Sequence, residues 1–264
     1  MSQSEVPVVI LCGGRGRRFQ EQTQYRPKPM IEIGTQPMLW HIMKTYAQHG
    51  FREFVLCLGY KGELIKEYFL NYRWLTNDIT VDLGTNEIEI IGRSQRDDWR
   101  VTLVDTGYDA KTGARVKRIE PYVRGERFML TYGDGVTNLD IGQLLQFHRS
   151  HGCVGTVTGV APVSQYGELT IRDDSVVSFR EKPARDGALI SGGYFVFERE
   201  FFDYLEDDDE CVLERAPLQQ LTDAGQLRVN SHHDFWQCMD TARDYEYLTE
   251  LWDSGRAPWR IWRD

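Results

Sequence analysis

Two cation-bearing stretches of this 264-residue sequence have the residue types that handle phosphate. The first, Gly13-Gly14-Arg15-Gly16-Arg17-Arg18, follows the apolar run Val8-Val9-Ile10-Leu11-Cys12 directly. Glycines let backbone N–H groups approach an anion closely, and arginines add charge-assisted donors. The second, Arg26-Pro27-Lys28-Pro29-Met30, holds a lysine between two prolines that stiffen the chain. A lysine so held is a fixed point charge for a phosphate. Each stretch alone is compatible with an ordinary turn or surface loop. Together, after a buried strand, they point to a phosphate-binding cup. The loop is neither a Walker A motif, since no Gly-Lys-[Ser/Thr] follows, nor a G-x-G-x-x-G dinucleotide loop.

Carboxylates supply the second kind of chemistry. Asp134 stands between Gly133 and Gly135 at the end of the apolar run Phe128–Tyr132. In an open α/β sheet that strand end faces the ligand crevice. A lone carboxylate there suits Mg²⁺, which takes one or two carboxylates plus substrate phosphates. Asp240, after Phe235-Trp236-Gln237-Cys238-Met239, is the natural second ligand, although Asp240-Thr241 before a helix also fits a helix start. Glu181-Lys182-Pro183 reads by itself as a salt bridge before a turn. Tyr166-Gly167-Glu168 and Gly192-Gly193-Tyr194 could admit a flat ligand or merely fit tight turns. The six histidines have no zinc-ligand spacing, and there is no Gly-x-Ser-x-Gly elbow.

These residues need a frame. Val8–Cys12 and Glu53–Leu58 are continuous apolar runs, the pattern of strands buried on both faces. Helices are predicted at Pro37–His49 and at Glu63–Tyr72, the latter with Ile65, Tyr68, Phe69 and Tyr72 on one face. Strand, helix, strand, helix at this spacing predicts a parallel sheet with crossover helices. Thr80–Ile91 reads as a hairpin about Gly84-Thr85-Asn86. Further strands are predicted at Arg100–Asp105, Phe128–Tyr132, Val154–Gly159, Glu168–Ile171, Val176–Glu181 and Tyr194–Phe197, with helices at Ile141–His151 and Asp244–Trp252. The run Glu206-Asp207-Asp208-Asp209-Glu210 lacks EF-hand spacing and reads as a solvated loop.

Composition closes off other classes. With 41% hydrophobic residues the chain is too apolar for disorder, and its length allows one large core. A net charge of −9 argues against binding a nucleic-acid backbone. No apolar run approaches the roughly 20 residues of a membrane helix, and the Met-Ser-Gln-Ser-Glu start lacks a basic n-region. Five scattered cysteines without a Cys-x-x-Cys pair read as free thiols. The expectation is a soluble cytoplasmic protein.

The full set resembles the sugar-1-phosphate nucleotidylyltransferases. Their signature, Leu-x-Gly-Gly-x-Gly-Thr-Arg-[Leu/Phe] followed by Pro-Lys-x-Met, matches Leu11–Phe19 and Pro27–Met30. Within the family the chain is most similar to members that use CTP and glucose 1-phosphate, on stretches such as Leu39–Lys44, Gly59–Gly62, Val101–Gly107, Thr131–Val136 and Met239-Asp240-Thr241. The resemblance implies a Rossmann-like three-layer α/β/α fold with a mostly parallel central sheet and small β insertions. It implies a single domain over 1–264, with a nucleotide-binding half over about 1–140 and a sugar-phosphate half over about 141–264. Leu11, Cys12, Gly13, Gly14, Arg15, Gly16, Arg17, Arg18, Lys28, Ala110, Arg115 and Gly133 would line the CTP site. Asp134 and Asp240 would hold Mg²⁺. Glu181 and Lys182 would meet the sugar phosphate, with Gly167, Ser191 and Gly193 near the sugar. A homo-oligomer, often a hexamer in the family, is implied too.

Departures from the family pattern are Arg17 for Thr, Arg26 for Lys, Ala110 for Ser, Ala114 for Gly, and Ser191 for Asn before the Gly-Gly pair. The implied reaction is in-line attack of the sugar phosphate on the α-phosphorus of CTP, giving CDP-glucose and pyrophosphate. Arg18, Lys28 and Lys182 would carry it, because bringing two polyanions together is a problem of positioning and charge. Alternatives are the same reaction with dTTP, UTP or another sugar or polyol phosphate, and a nucleotide-binding protein without turnover. An NAD-dependent oxidoreductase is disfavoured, since Leu58-Gly59-Tyr60 offers no acidic residue after the second strand.

Overall fold

The computed structural model describes residues 5–16, 23–92, 97–161, 168–172, 174–180 and 189–262. In chain order the first elements are β1 (Val8–Leu11), β2 (Glu32–Ile33), β3 (Gln36–Pro37), α1 (Met38–Gln48), β4 (Glu53–Leu58), α2 (Gly62–Leu75), β5 (Asp78–Val81), β6 (Ile88–Ile91) and β7 (Arg100–Asp105). Then come α3 (Thr112–Arg118), β8 (Arg127–Tyr132), β9 (Gly135–Thr137), α4 (Ile141–His151), β10 (Gly155–Val160), β11 (Glu168–Arg172) and β12 (Ser175–Arg180). The last are β13 (Ile190–Glu198), α5 (Ala216–Asp223), β14 (Leu227–His232), β15 (Trp236–Cys238) and α6 (Ala242–Asp253).

Seven strands form one sheet in the order β14-β10-β13-β8-β1-β4-β7. Only β13 runs against its neighbours β10 and β8; the other pairings are parallel. The apolar runs account for this. Val8 and Ile10 of β1 enter one core, and Val9 and Leu11 enter another on the opposite face. In β4, Phe54, Leu56 and Leu58 alternate with Val55 and Cys57 in the same way. The first core is covered by α1, α2, α4 and α6 through Ile42, Ile65, Leu144 and Leu248; the second by α3 and α5 through Val116 and Leu221, with Phe201 and Phe202. Strands whose two faces are both apolar must sit between two helical layers, so the three-layer α/β/α reading holds.

Most of the predicted elements are present, with shifted ends. The helix expected at Glu63–Tyr72 runs from Gly62 to Leu75, entered through Lys61 at φ 53. The strand expected at Tyr194–Phe197 begins at Ile190. The short helix α3 and the edge strand β14 are not among the elements the sequence predicts. The β5–β6 hairpin pairs Ile79 with Ile90 and Val81 with Ile88. The acidic run is exposed as expected, but Asp207 and Asp209 both bind Arg118.

Candidate active site

Parallel strands deliver their carboxyl ends to one edge, and a cavity of about 470 Å³ lies there, within the size range of small-molecule sites. Of the residues singled out from sequence, Leu11, Cys12, Gly13, Gly14, Gly16, Lys28, Ala110, Arg115, Gly133, Asp134 and Asp240 line it. Arg15 is turned aside: it pairs with Asp109 and lies over the Tyr108 ring at 4.9 Å. Ser191 and Gly193 are not among the lining residues, and Ser191 Oγ accepts a hydrogen bond from Gly193 N at 3.3 Å. Arg17, Arg18, Gly167, Glu181 and Lys182 lie outside the described residues.

The glycines of the loop serve three different purposes. A Cβ on Gly13 would sit 2.2 Å from Arg115 Nη1, so this position makes room for a guanidinium. Gly14 has nothing within 4 Å of a Cβ position and is exposed, which leaves its backbone open to a ligand. Gly16 has φ +58, a conformation that favours glycine, and its carbonyl accepts from Thr23 Oγ1 at 3.2 Å. Gly133 is needed for a close approach: its Cβ would meet Pro29 Cγ at 2.8 Å and the Leu11 carbonyl at 3.0 Å. Gly193, at φ +76, gives its space to the Tyr132 ring. Burial pushes the Cys12 thiol well up, so it is a packing residue and no nucleophile.

Arg115, 4% exposed, spends its donors on the protein. Nη1 donates to the Leu58 carbonyl (2.9 Å), Thr106 Oγ1 (2.9 Å) and the Gly107 carbonyl (2.8 Å); Nη2 donates to the Gly13 (3.1 Å) and Tyr108 (3.4 Å) carbonyls. It ties together the loops that follow β1, β4 and β7. A guanidinium so engaged shapes the cavity wall.

Lys28, also in the lining, opens a single 3₁₀ turn, Lys28–Met30, entered from Pro27 at φ −65. Its Nζ donates to Asp134 Oδ2 at 2.7 Å and to Asp240 Oδ1 at 2.5 Å. Burial alone would lower the Lys28 pKa, but the two carboxylates outweigh it and hold the ammonium above its ordinary value. The aspartates meet because β9 and β15 pair antiparallel, Gly135 opposite Cys238, and Met239 N donates to the Asp134 carbonyl at 2.8 Å. Asp240 does not cap α6. Thr241 is the N-cap, in a capping box with Asp244, which leaves the Asp240 carboxylate for the cavity.

Pro29, Lys111, Thr112, Tyr132, Val212 and Glu214 also line the cavity and were not singled out as site residues from sequence. Tyr132 had a signal, as the last residue before Gly133-Asp134. Glu214 had none: it arrives on a loop far along the chain.

The model of the nucleotidyl transferase family matches residues 7–264. The chain belongs to the nucleotidyl transferase family. It is 48% identical to glucose-1-phosphate cytidylyltransferase of Salmonella typhimurium over 96% of this chain and 98% of the relative. The enzyme of that name from Salmonella typhi is 47% identical over the same shares. Among solved structures, HddC from Yersinia pseudotuberculosis superposes with a TM-score of 0.68 at 22% identity, covering 94% of this chain and 99% of that one. As a nucleotidyl transferase, the chain is an enzyme of a family that generally uses a divalent metal. The donor set fits such an ion: two carboxylates converge on one cationic centre. Among the described residues no group of three or more His, Cys, Asp or Glu forms a complete metal cage. The protein would thus supply two ligands and the substrate phosphates would supply others. Among the described residues no helix is long and apolar enough to cross a membrane.

Proposed function

We propose that this enzyme condenses CTP with α-D-glucose 1-phosphate to give CDP-glucose and pyrophosphate. The observation that carries the reading is the convergence of Lys28, Asp134 and Asp240 at the edge of a glycine-walled cavity. The names of relatives at 47–48% identity supply the two substrates. The attacking sugar phosphate is already ionised, so no strong base is required. Two anions must instead be held in line, and charge must be stabilised as pyrophosphate leaves. Asp134 and Asp240 would hold Mg²⁺, which supplies charge neutralisation to the phosphates when bound. Lys28 places a buried positive charge beside them. The open backbone at Gly14 receives phosphate oxygens, and Arg115 keeps the loop in shape. Arg18 and Lys182 remain assigned to the leaving pyrophosphate and to the sugar phosphate.

The same reading divides the chain into a nucleotide half, 1–140, and a sugar-phosphate half, 141–264, with Asp240 reaching back into the first. Free cysteines at all five positions support a reducing compartment, the cytoplasm. A homo-oligomer is supported by the β5–β6 hairpin, which exposes Ile79, Val81, Leu83 and Ile88. The test is a panel of CTP, UTP, dTTP, ATP and GTP against glucose 1-phosphate, with and without Mg²⁺, read by pyrophosphate release. CTP should be used at least about tenfold better than UTP in kcat/KM. Release from another nucleotide at equal or higher efficiency would overturn the choice of CTP.

A further inference from the structure

The cavity carries one carboxylate that the reaction above does not use. Glu214 is exposed and lines the cavity. One of its oxygens accepts from the Tyr132 hydroxyl; the other, Oε2, accepts from Thr112 Oγ1 at 2.7 Å. The loop that bears it is pinned to α3. Lys111 N donates to the Asp209 carbonyl (2.8 Å), and Gly113 N and Ala114 N donate to the Cys211 carbonyl (3.0 and 3.2 Å). Arg118 holds Asp207 and Asp209 at 2.7 and 2.8 Å. Gly113 permits this closeness, since a Cβ there would lie 2.6 Å from Cys211 Sγ. The acidic run is therefore an anchor for the wall, and Glu214 is held in place by it.

A carboxylate in a cavity built for polyanions repels any phosphate beside it. Glu214 does not join Asp134 and Asp240 in a three-carboxylate cluster among the described residues. Lys111, also in the lining, has Glu210 at 3.7 Å as a counter-charge, so phosphates are drawn towards Lys28 and a neutral part of a substrate faces Glu214. A carboxylate has about four acceptor sites, and two are taken by Tyr132 and Thr112. The others can accept only from a donor. The wall in question is the first turn of α3, which Arg115 joins to the glycine loop through Gly13. On the proposed reading this is the side of the cavity that takes the nucleotide, since Gly13, Ala110 and Arg115 line it too.

We infer that Glu214 selects the nucleoside: its carboxylate accepts a hydrogen bond from a neutral donor of the nucleotide, the exocyclic amine of cytosine or a ribose hydroxyl. The inference rests on the reading that a cytidine nucleotide binds here. It explains why a carboxylate is fixed by two hydroxyls in a cavity that must receive phosphates. It also gives a means of discrimination, because uracil presents a carbonyl where cytosine presents the amine.

The test compares the wild-type enzyme with E214Q and E214L. CTP, UTP and 2′-deoxy-CTP are measured by kcat/KM for pyrophosphate release and, separately, by calorimetric affinity. E214Q should lower the CTP-over-UTP ratio by about tenfold or more if the amine is read, since its amide can donate to uracil. If a ribose hydroxyl is read, E214L, which has no acceptor, should instead lower the CTP-over-deoxy-CTP ratio by a similar factor. Melting temperatures of both variants check that the loop remains folded. Unchanged ratios in both variants, or an effect confined to the KM for glucose 1-phosphate, would overturn the inference. The affinities are read without turnover, so a failed sugar substrate would sink the proposed reaction and leave this comparison decisive.

Discussion

The loop that follows β1 owes its shape to Arg115, and this can be tested quantitatively. Its guanidinium makes five hydrogen bonds, four of them to backbone carbonyls. A lysine places one nitrogen where the guanidinium places two, so Arg115→Lys must abandon the acceptors of Nη1 or of Nη2, at least two of the five. Hydrogen bonds to a charged group contribute about 1.5–3 kcal/mol each, so the loss should be roughly 3–6 kcal/mol. That is a large part of a domain's total of about 5–15 kcal/mol. Urea unfolding monitored by tryptophan fluorescence measures it. Gly13→Ala attacks the same contact from the other side, because its Cβ would stand 2.2 Å from Nη1. It should cost about 1–3 kcal/mol by overpacking. In an Arg115→Ala background the space is vacated, so Gly13→Ala should lose most of that penalty. Two strictly additive substitutions would show that Gly13 and Arg115 do not depend on one another, and the account of the loop would be wrong.

Other outcomes follow from the same contacts. Asp134→Asn and Asp240→Asn should each lower metal-dependent turnover by at least about 100-fold, the scale of losing one preorganised charge-stabilising group; pyrophosphate release across a Mg²⁺ titration checks this, and full activity in either would remove that aspartate from the metal site. His41 is buried with its pKa pushed down to about 4, chiefly by desolvation, while Nε2 meets the Ile33 carbonyl at 3.0 Å and Nδ1 accepts from Trp259 Nε1 at 3.4 Å. The depressed value means the unfolded chain binds the proton more readily, so this contribution to stability is complete above pH 6.5 and is lost as pH falls towards 4. Unfolding free energies measured over that window should fall by up to about 1.4 kcal/mol per pH unit for this group, and His41→Gln should flatten the slope; an unaltered slope would exclude His41 as its source.

Much of the architecture is legible in contiguous residues. The runs Val8–Leu11 and Glu53–Leu58 carry apolar side chains on both faces, and only a sheet between two helical layers buries both. Prolines at positions 27 and 29 fix the backbone around Lys28 without reference to anything distant. Glycine positions are legible too, but their reasons are not. Gly13 and Gly193 look like room for a ligand, yet one yields to the Arg115 guanidinium and the other to the Tyr132 ring.

The meeting of Asp134 with Asp240 needed the register of β9 against β15, and the release of Asp240 needed Thr241 to take the cap. Glu214 needed the acidic loop to dock on α3. Local stereochemistry and periodicity act between near neighbours in the chain, so sequence alone determines the strands, most of the helices and the stiff turns. Which distant side chains share a cavity depends on strand order and loop docking, and only the tertiary structure decides that.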